Sequence, residues 1–220
     1  MDMWGIFIGT LIGAYLLGSI PFGLVVGRSI AGVDITAVGS SNIGAANVAR
    51  EIGIAWGIVT LVADALKGFI PVAAVVSLSG TSPELEEVVQ GLVGLAALLG
   101  HQFPVYNRFK GGKGVATCIG VFLAISPISC LLSGAIFLVV VAPWRYISLG
   151  SMAAALSLPG WLSIGGHSDF LIVASMGMSL LITFRHRDNI QRLFKGNERR
   201  WQIRGNHDNR SMRRPSSSSE

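Results

Sequence analysis

Apolar windows long enough to cross a bilayer recur along this 220-residue chain, and nothing else in it restricts the fold so severely. A hydrocarbon core about 30 Å thick needs about 17 to 25 apolar residues per helix. Lipid offers the backbone no hydrogen-bond partner, so only helices or closed barrels can cross it. No strand-like alternation persists here, so the chain reads as an all-α, polytopic integral membrane protein. Seven transmembrane segments are expected, at about 4–27, 53–79, 86–103, 114–127, 128–143, 147–165 and 169–184. The fourth and fifth are short and meet at Ser126-Pro127, as one hairpin or two short spans. Only 13% of residues are charged, against roughly 25% in soluble domains. The 28 glycines suit helices that pack closely in lipid. Met1-Asp2-Met3 lacks a basic region and the apolar run from Trp4 is too long for a cleavable signal. Cys118 and Cys130 sit in apolar segments without metal-ligand spacing and read as packing residues.

Lysine and arginine favour cytoplasmic loops. With seven spans and the N-terminus outside, the inner loops are 28–52, 104–113, 144–146 and the stretch after 184. These hold every one of the 17 Lys and Arg residues except Lys67, which lies within a span. The outer loops hold Glu84, Glu86, Glu87 and Asp169 instead. A wrong span count would scatter these charges. The C-terminus is therefore expected in the cytoplasm. Residues 1–200 read as one transmembrane domain, and the polar, Ser-rich stretch 201–220 as a disordered cytoplasmic tail.

The unusual polar segments share that inner side. Residues 39–50, G-S-S-N-I-G-A-A-N-V-A-R, offer the hydroxyls of Ser40 and Ser41, the amides of Asn42 and Asn47, and Arg50, whose guanidinium can clamp a phosphate with two bonds. A helix start capped by Ser40, Ser41 or Asn42 explains one polar residue there, not all of them. Lys110-Gly111-Gly112-Lys113-Gly114 combines two cations with glycines that leave backbone N–H groups bare. It departs from the G-x-x-x-x-G-K-S/T nucleotide loop, because Gly114 and Val115 follow Lys113. A specific phosphate site and a basic turn resting on lipid headgroups are both open on spacing alone. After the last span comes R185-H-R-D-N189. A continuing helix would put His186 and Asn189 on one face, with Arg192, Lys195 and Glu198 extending it. An amphipathic helix on anionic lipid is the other reading. Within the membrane, Asp64 and Lys67 have the spacing of a pair, since isolated ions are costly at that depth. His101 is placed to cap its helix or line the same inner cavity. Pro21 should kink the first span, with Ser19 bonding back to the helix.

In order along the chain, G18-S-I-P-F-G23, G39-S-S-N-I-G-A-A-N-V-A-R50, D64-A-L-K-G68, G100-H-Q-F-P-V105, F109-K-G-G-K-G-V-A-T117 and R185-H-R-D-N-I-Q-R-L-F-K-G-N-E198 resemble the bacterial acyl-phosphate:glycerol-3-phosphate acyltransferases, the PlsY family. The resemblance covers about residues 4–200. It implies an integral enzyme of the bacterial cytoplasmic (inner) membrane with its site facing the cytoplasm. It further implies transfer of a fatty acyl group from acyl phosphate to the 1-hydroxyl of glycerol 3-phosphate. The products would be lysophosphatidic acid and phosphate, in the first step of phospholipid synthesis. Matched position by position, it points to Ser40, Arg50, Lys113, His186 and Asn189 as the catalytic set. Asn42, Lys110, Gly111, Gly112, Gly114 and Glu198 fall at motif positions suited to binding phosphate. No cofactor or metal is implied. The expected partners are the two substrates, membrane lipids and the soluble enzyme that makes acyl phosphate, with no nucleic acid. Two positions depart from the family loop: Ser41 stands where glycine is usual, and Ala46 where threonine is.

Phosphate is already a good leaving group, so such a site works by positioning and charge stabilisation. His186 has the one neutral-range side chain nearby. We expect it to orient groups rather than act as base, with Arg185 and Arg187 depressing its proton affinity and a substrate phosphate oxygen taking the hydroxyl proton. The H-x-x-x-x-D dyad of many acyltransferases is missing: Tyr106 follows His101 at that spacing, and Gln191 follows His186. A transporter reading fits less well, since the polar residues favour one face and no internal repeat is visible.

Overall fold

The structure is a computed structural model and describes residues 3–76 and 82–201. The stretch 202–220, most of the expected tail, lies outside the described residues. Among the described residues ten α-helices follow in order: α1 Met3–Gly18, α2 Phe22–Ala31, α3 Ala45–Glu51, α4 Ile54–Val76, α5 Pro83–Gln102, α6 Val115–Ile125, α7 Pro127–Trp144, α8 Ile147–Ile164, α9 Asp169–Arg185 and α10 Arg187–Phe194. No strand occurs among the described residues.

Among the described residues, five stretches are long and apolar enough to cross a bilayer, namely Trp4–Ala31, Ile54–Val75, Pro83–Asn107, Pro127–Trp144 and Ile147–Ile164. The pair α9–α10, bent by 58°, makes a sixth if counted as one broken span. The remaining expected segment is α6, of only 11 residues, about 16 Å long. It runs between the same polar layers as α5: the Gln102 amide donates to the Lys113 carbonyl at one end, and Ser126 meets His167 at the other. The Cys130 thiol reaches back to the Ile119 carbonyl at 3.6 Å, so α7 folds back along α6 from the Ser126 break.

Small residues set the packing. A methyl group at Gly120 would collide with the Ala65 carbonyl, and one at Gly68 with the Thr117 carbonyl, so α4 and α6 lie almost backbone to backbone. The interior is apolar, with Val72, Val93, Leu98, Val121, Phe122 and Met178 in one cluster. The outer faces are apolar too: Ile128, Leu131, Leu138 and Val139 on α7 are each more than half exposed, as lipid-facing residues are.

Pro21 breaks the first helix as the sequence predicts, and the Ser19 hydroxyl bonds back to the Tyr15 carbonyl. The Ile20 carbonyl at the break accepts from Lys67 Nζ, which also pairs with Asp64 at 2.9 Å. Both ions are almost wholly buried. The far end is tied by Glu87, which meets His167 Nδ1 at 2.7 Å and accepts from the Ser168 amide. Through His167 and Ser126 this joins α5, the α6–α7 break and the α8–α9 turn.

Candidate active site

The loop before α3 is organised by Asn47, which is buried. Its amide nitrogen donates to the carbonyls of Ile35, Val38 and Asn42, and its oxygen accepts from the Ser40 amide. Asn42 in turn accepts from the Gly44 amide. Gly44, with no side-chain bond, is the residue that caps α3, rather than Ser40, Ser41 or Asn42. Beneath the loop Ile35, Ile43 and Val48 pack on Leu24 and Val26 of α2. Ser41 adopts φ 55, a left-handed conformation that favours glycine, which accounts for glycine being usual there. The loop thus presents Ser40 and Arg50 to one side. The Ser40 hydroxyl makes no hydrogen bond among the described residues. Arg50 lies 5.9 Å from the Trp201 ring, and its buried Nε has no hydrogen-bond partner among the described residues.

The glycine turn is held rather than open. The Gly112 amide donates to the His101 carbonyl, and the carbonyls of Gly111 and Gly112 accept from Arg185. A methyl group at Gly112 would strike the His101 ring. Gly111 and Gly112 are therefore small so that the turn can lie on the end of α5, and neither borders the main cavity. Lys110 is exposed and lines a separate small pocket with Ser41 and Thr36. Of the turn, Lys113 and Gly114 face the site. Gly114 has φ 86, which re-aims the chain into α6. Burial pushes the Lys113 ammonium down to about 8, with the Glu198 carboxylate opposing that shift.

The helix does not run straight on past residue 185. The chain bends by 58° between α9 and α10, with His186 at the corner. The bend turns Arg185 toward the glycine turn and sets Asn189 inward, where it is buried. Lys113 Nζ donates to Asn189 Oδ1 at 2.5 Å, and Asn189 Nδ2 donates to Glu198 Oε1 at 2.6 Å. Glu198 also accepts from Ser148 at 2.6 Å and from Arg192 at 2.9 Å. Burial raises its carboxyl, but those three donors outweigh it and hold it below the usual range. Lys195 caps α10 and points away, exposed.

His186 is 2% exposed, and its Nδ1 lies 2.8 Å from the Ile182 carbonyl. A carbonyl can only accept, so Nδ1 carries the proton and Nε2 is the acceptor nitrogen. Burial, then the Lys113 charge, pushes the ring down to about 4. The flanking arginines are not the cause: Arg185 binds the glycine turn, and Arg187 lies over the Phe184 ring at 5.2 Å.

These pieces enclose a cavity of about 470 Å³. Ser40, Asn42, Arg50, Lys113, Gly114, His186, Asn189 and Glu198, all expected from sequence, border its polar end, with Asp64 and His101 close by. Gly111, Gly112 and Lys110 do not join them. From that end the cavity continues as an apolar groove between α6, α7 and α8, past Ile119, Phe122, Phe137 and Leu158. Both cysteines line it as packing groups. Ser148, which holds Glu198, and Trp201, beside Arg50, escaped sequence reasoning. Ser148 opens an apolar helix and looks like any small residue there, and Trp201 follows the last motif. No group of three or more His, Cys, Asp or Glu among the described residues is arranged to hold a metal ion.

A polar, cation-rich pocket opening into a greasy groove suits a reaction between a phosphorylated lipid precursor and a small anion. The chain is similar in sequence and structure to known acyltransferases. The family described as Glycerol-3-phosphate acyltransferase matches residues 8–196. A protein of that name from Geotalea daltonii is 48% identical over 188 residues, 86% of this chain and 94% of its own. One from Aquifex aeolicus is 42% identical over 191 residues, 87% of this chain and 97% of its own. Two crystal structures of PlsY (YgiH), an integral membrane glycerol 3-phosphate acyltransferase, superpose over 89% of this chain at 41% identity. The glycerol 3-phosphate form gives a TM-score of 0.84 over 96% of that chain, and the lysophosphatidic acid form 0.82 over 95%.

Proposed function

We propose that this chain, which belongs to the glycerol-3-phosphate acyltransferase family, transfers a fatty acyl group from acyl phosphate to the 1-hydroxyl of glycerol 3-phosphate. The products are lysophosphatidic acid and inorganic phosphate. The observation that carries this reading is the single cavity in which a cationic pocket runs into an apolar groove. An acyl phosphate has that same division between a dianionic head and a hydrocarbon tail.

Arg50 and Lys113 bind the phosphates, as cations with buried, inward-facing donors do best. Asn189 and Glu198 hold the Lys113 ammonium in place. Ser40 and His186 Nε2 orient the glycerol hydroxyl at the donor carbonyl. The hydroxyl oxygen attacks that carbonyl, the acyl–phosphate bond breaks, and phosphate leaves with the electron pair. The proton passes to a substrate phosphate oxygen. A phosphate monoester has its second pKa near 6, about two units above His186 at about 4, so phosphate is the stronger base. Glycine-turn residues Gly111 and Gly112 contribute by shaping the turn, and Lys110 by attracting anions from solution.

The basic residues of the cavity end and the acidic Glu84, Glu86, Glu87 and Asp169 of the far end support an N-terminus outside and a site facing the cytoplasm of a bacterial inner membrane. The soluble enzyme that makes acyl phosphate is the expected partner on that face. The test is purified protein given palmitoyl phosphate and labelled glycerol 3-phosphate, with palmitoyl-CoA as control donor. Lysophosphatidic acid from the phosphate donor alone supports the reading. Equal turnover of palmitoyl-CoA would refute the donor assignment. A His186→Ala variant that loses about three decades in kcat and regains them with imidazole would refute the proton route.

A further inference from the structure

The groove wall contributed by α7 repeats at helical spacing, with Cys130, Leu131, Gly134 and Phe137 all bordering the cavity. Gly134 stands in the middle of that stripe. A methyl group there would meet nothing within 4 Å, whereas the other two glycines bordering the cavity, Gly44 and Gly114, have neighbours inside that distance. Position 134 is exposed and borders the cavity, so a side chain there would occupy open space at the groove wall and not the packed interior.

Its depth follows from the helix geometry. The Ser133 and Ser157 hydroxyls lie 3.4 Å apart, which sets α7 against α8 at this level. Ser148, at the polar end, bonds Glu198. From Ser148 to Ser157 is about 14 Å along α8 at 1.5 Å per residue. An extended chain advances about 1.2 Å per bond, so the level of Gly134 is reached near the eleventh or twelfth carbon. Beyond it Leu131, which borders the cavity, is 67% exposed, so the groove opens sideways toward lipid.

We propose that Gly134 determines acyl-chain length: the missing side chain is the gap through which a donor longer than about twelve carbons passes on toward the bilayer. The proposal rests on the acyl-phosphate reading above. Shorter donors end before this level and do not depend on it.

The experiment compares kcat/KM for octanoyl, decanoyl, lauroyl, myristoyl and palmitoyl phosphates in the unmutated protein and in Gly134→Leu, Gly134→Ala and Gly160→Leu. Gly160 also has open space around it but does not border the cavity. The expected result is a fall of about ten-fold or more in the palmitoyl-to-octanoyl ratio for Gly134→Leu, a smaller fall for Gly134→Ala, and the unmutated ratio for Gly160→Leu. An unchanged ratio in Gly134→Leu, or equal loss at every chain length including octanoyl, overturns the proposal while leaving the donor assignment standing. Failure of the unmutated protein with every acyl phosphate overturns the donor assignment and this proposal with it.

Discussion

Glu198→Gln keeps the shape of the side chain that holds the site together and removes its charge. The carboxylate accepts from Ser148 and Asn189 through Oε1 and from Arg192 through Oε2. A carboxamide has one accepting end. If its oxygen keeps Ser148 and Asn189, its NH₂ faces the Arg192 Nε–H, donor against donor. Bonds to a neutral acceptor are about half as strong as to an ionised one, so the two retained bonds lose about 1 kcal/mol each. The Arg192 side chain is 38% exposed, and solvent screening limits that loss to about 1 kcal/mol. The total is about 3 kcal/mol, part of which reaches the transition state through Asn189 and Lys113. We expect kcat/KM for glycerol 3-phosphate to fall about 10- to 100-fold. The pH profile makes the test specific. Lys113 titrates at about 8 because it is buried, and the Glu198 charge raises it against that effect. Activity that needs the ammonium is full below about 8 and is lost as pH rises through it. Without the Glu198 charge the alkaline limb of kcat/KM moves to lower pH. Measured in bicelles with palmitoyl phosphate as donor, an alkaline limb that stays fixed or moves upward refutes the link from Glu198 to Lys113.

Other residues give independent checks. His186→Gln should flatten the acid dependence of stability: the folded ring at about 4 and its ordinary value of 6.5 mean that the unfolded chain binds the extra proton between those values. Stability from the neutral ring is thus lost as pH falls from 6.5 toward 4, by up to about 3 kcal/mol, and melting curves at pH 7 and pH 5 should separate less in the variant. Equal separation counts against a buried neutral His186. Ser41→Gly should raise stability by about 0.5–1 kcal/mol, relief of a left-handed serine offset by glycine entropy, read as a higher Tm; a lower Tm contradicts the strain at φ 55. Asn47→Ala removes the hub of the first loop and should cost about 2–4 kcal/mol with loss of activity; full activity at unchanged Tm would show that the loop holds without it.

The membrane architecture was legible because hydropathy and charge act on whole segments. Windows near 54–76 and 147–164 could be nothing else, and the spacing of Asp64 and Lys67, with the cost of an isolated ion in lipid, allowed the buried pair. Local geometry was less legible. The bend at His186 follows neither proline nor glycine; it depends on where α10 finds Glu198 and Lys113, partners distant in sequence. The glycines of 111–112 matched an anion-binding pattern, yet the close approach of His101 decides their role, and no local pattern reports that neighbour. The expected site residues Ser40, Arg50, Lys113, His186 and Asn189 do meet at one cavity, because cations and amides placed between greasy spans have few places to go. Ser148 stayed hidden, since a hydroxyl at the start of an apolar helix carries no signal until its partner is known.

The central claim is that the cavity joining Lys113 to the α6–α8 groove is where the acyl donor lies. The direct measurement is photolabelling of the purified protein with a palmitoyl phosphate bearing a diazirine near its tenth carbon, with adducts mapped by mass spectrometry. The account predicts adducts on groove residues such as Ile119, Phe122, Phe137 and Leu158, suppressed by excess unlabelled donor. Adducts concentrated on α1 or α5, or unaffected by competition, would contradict it.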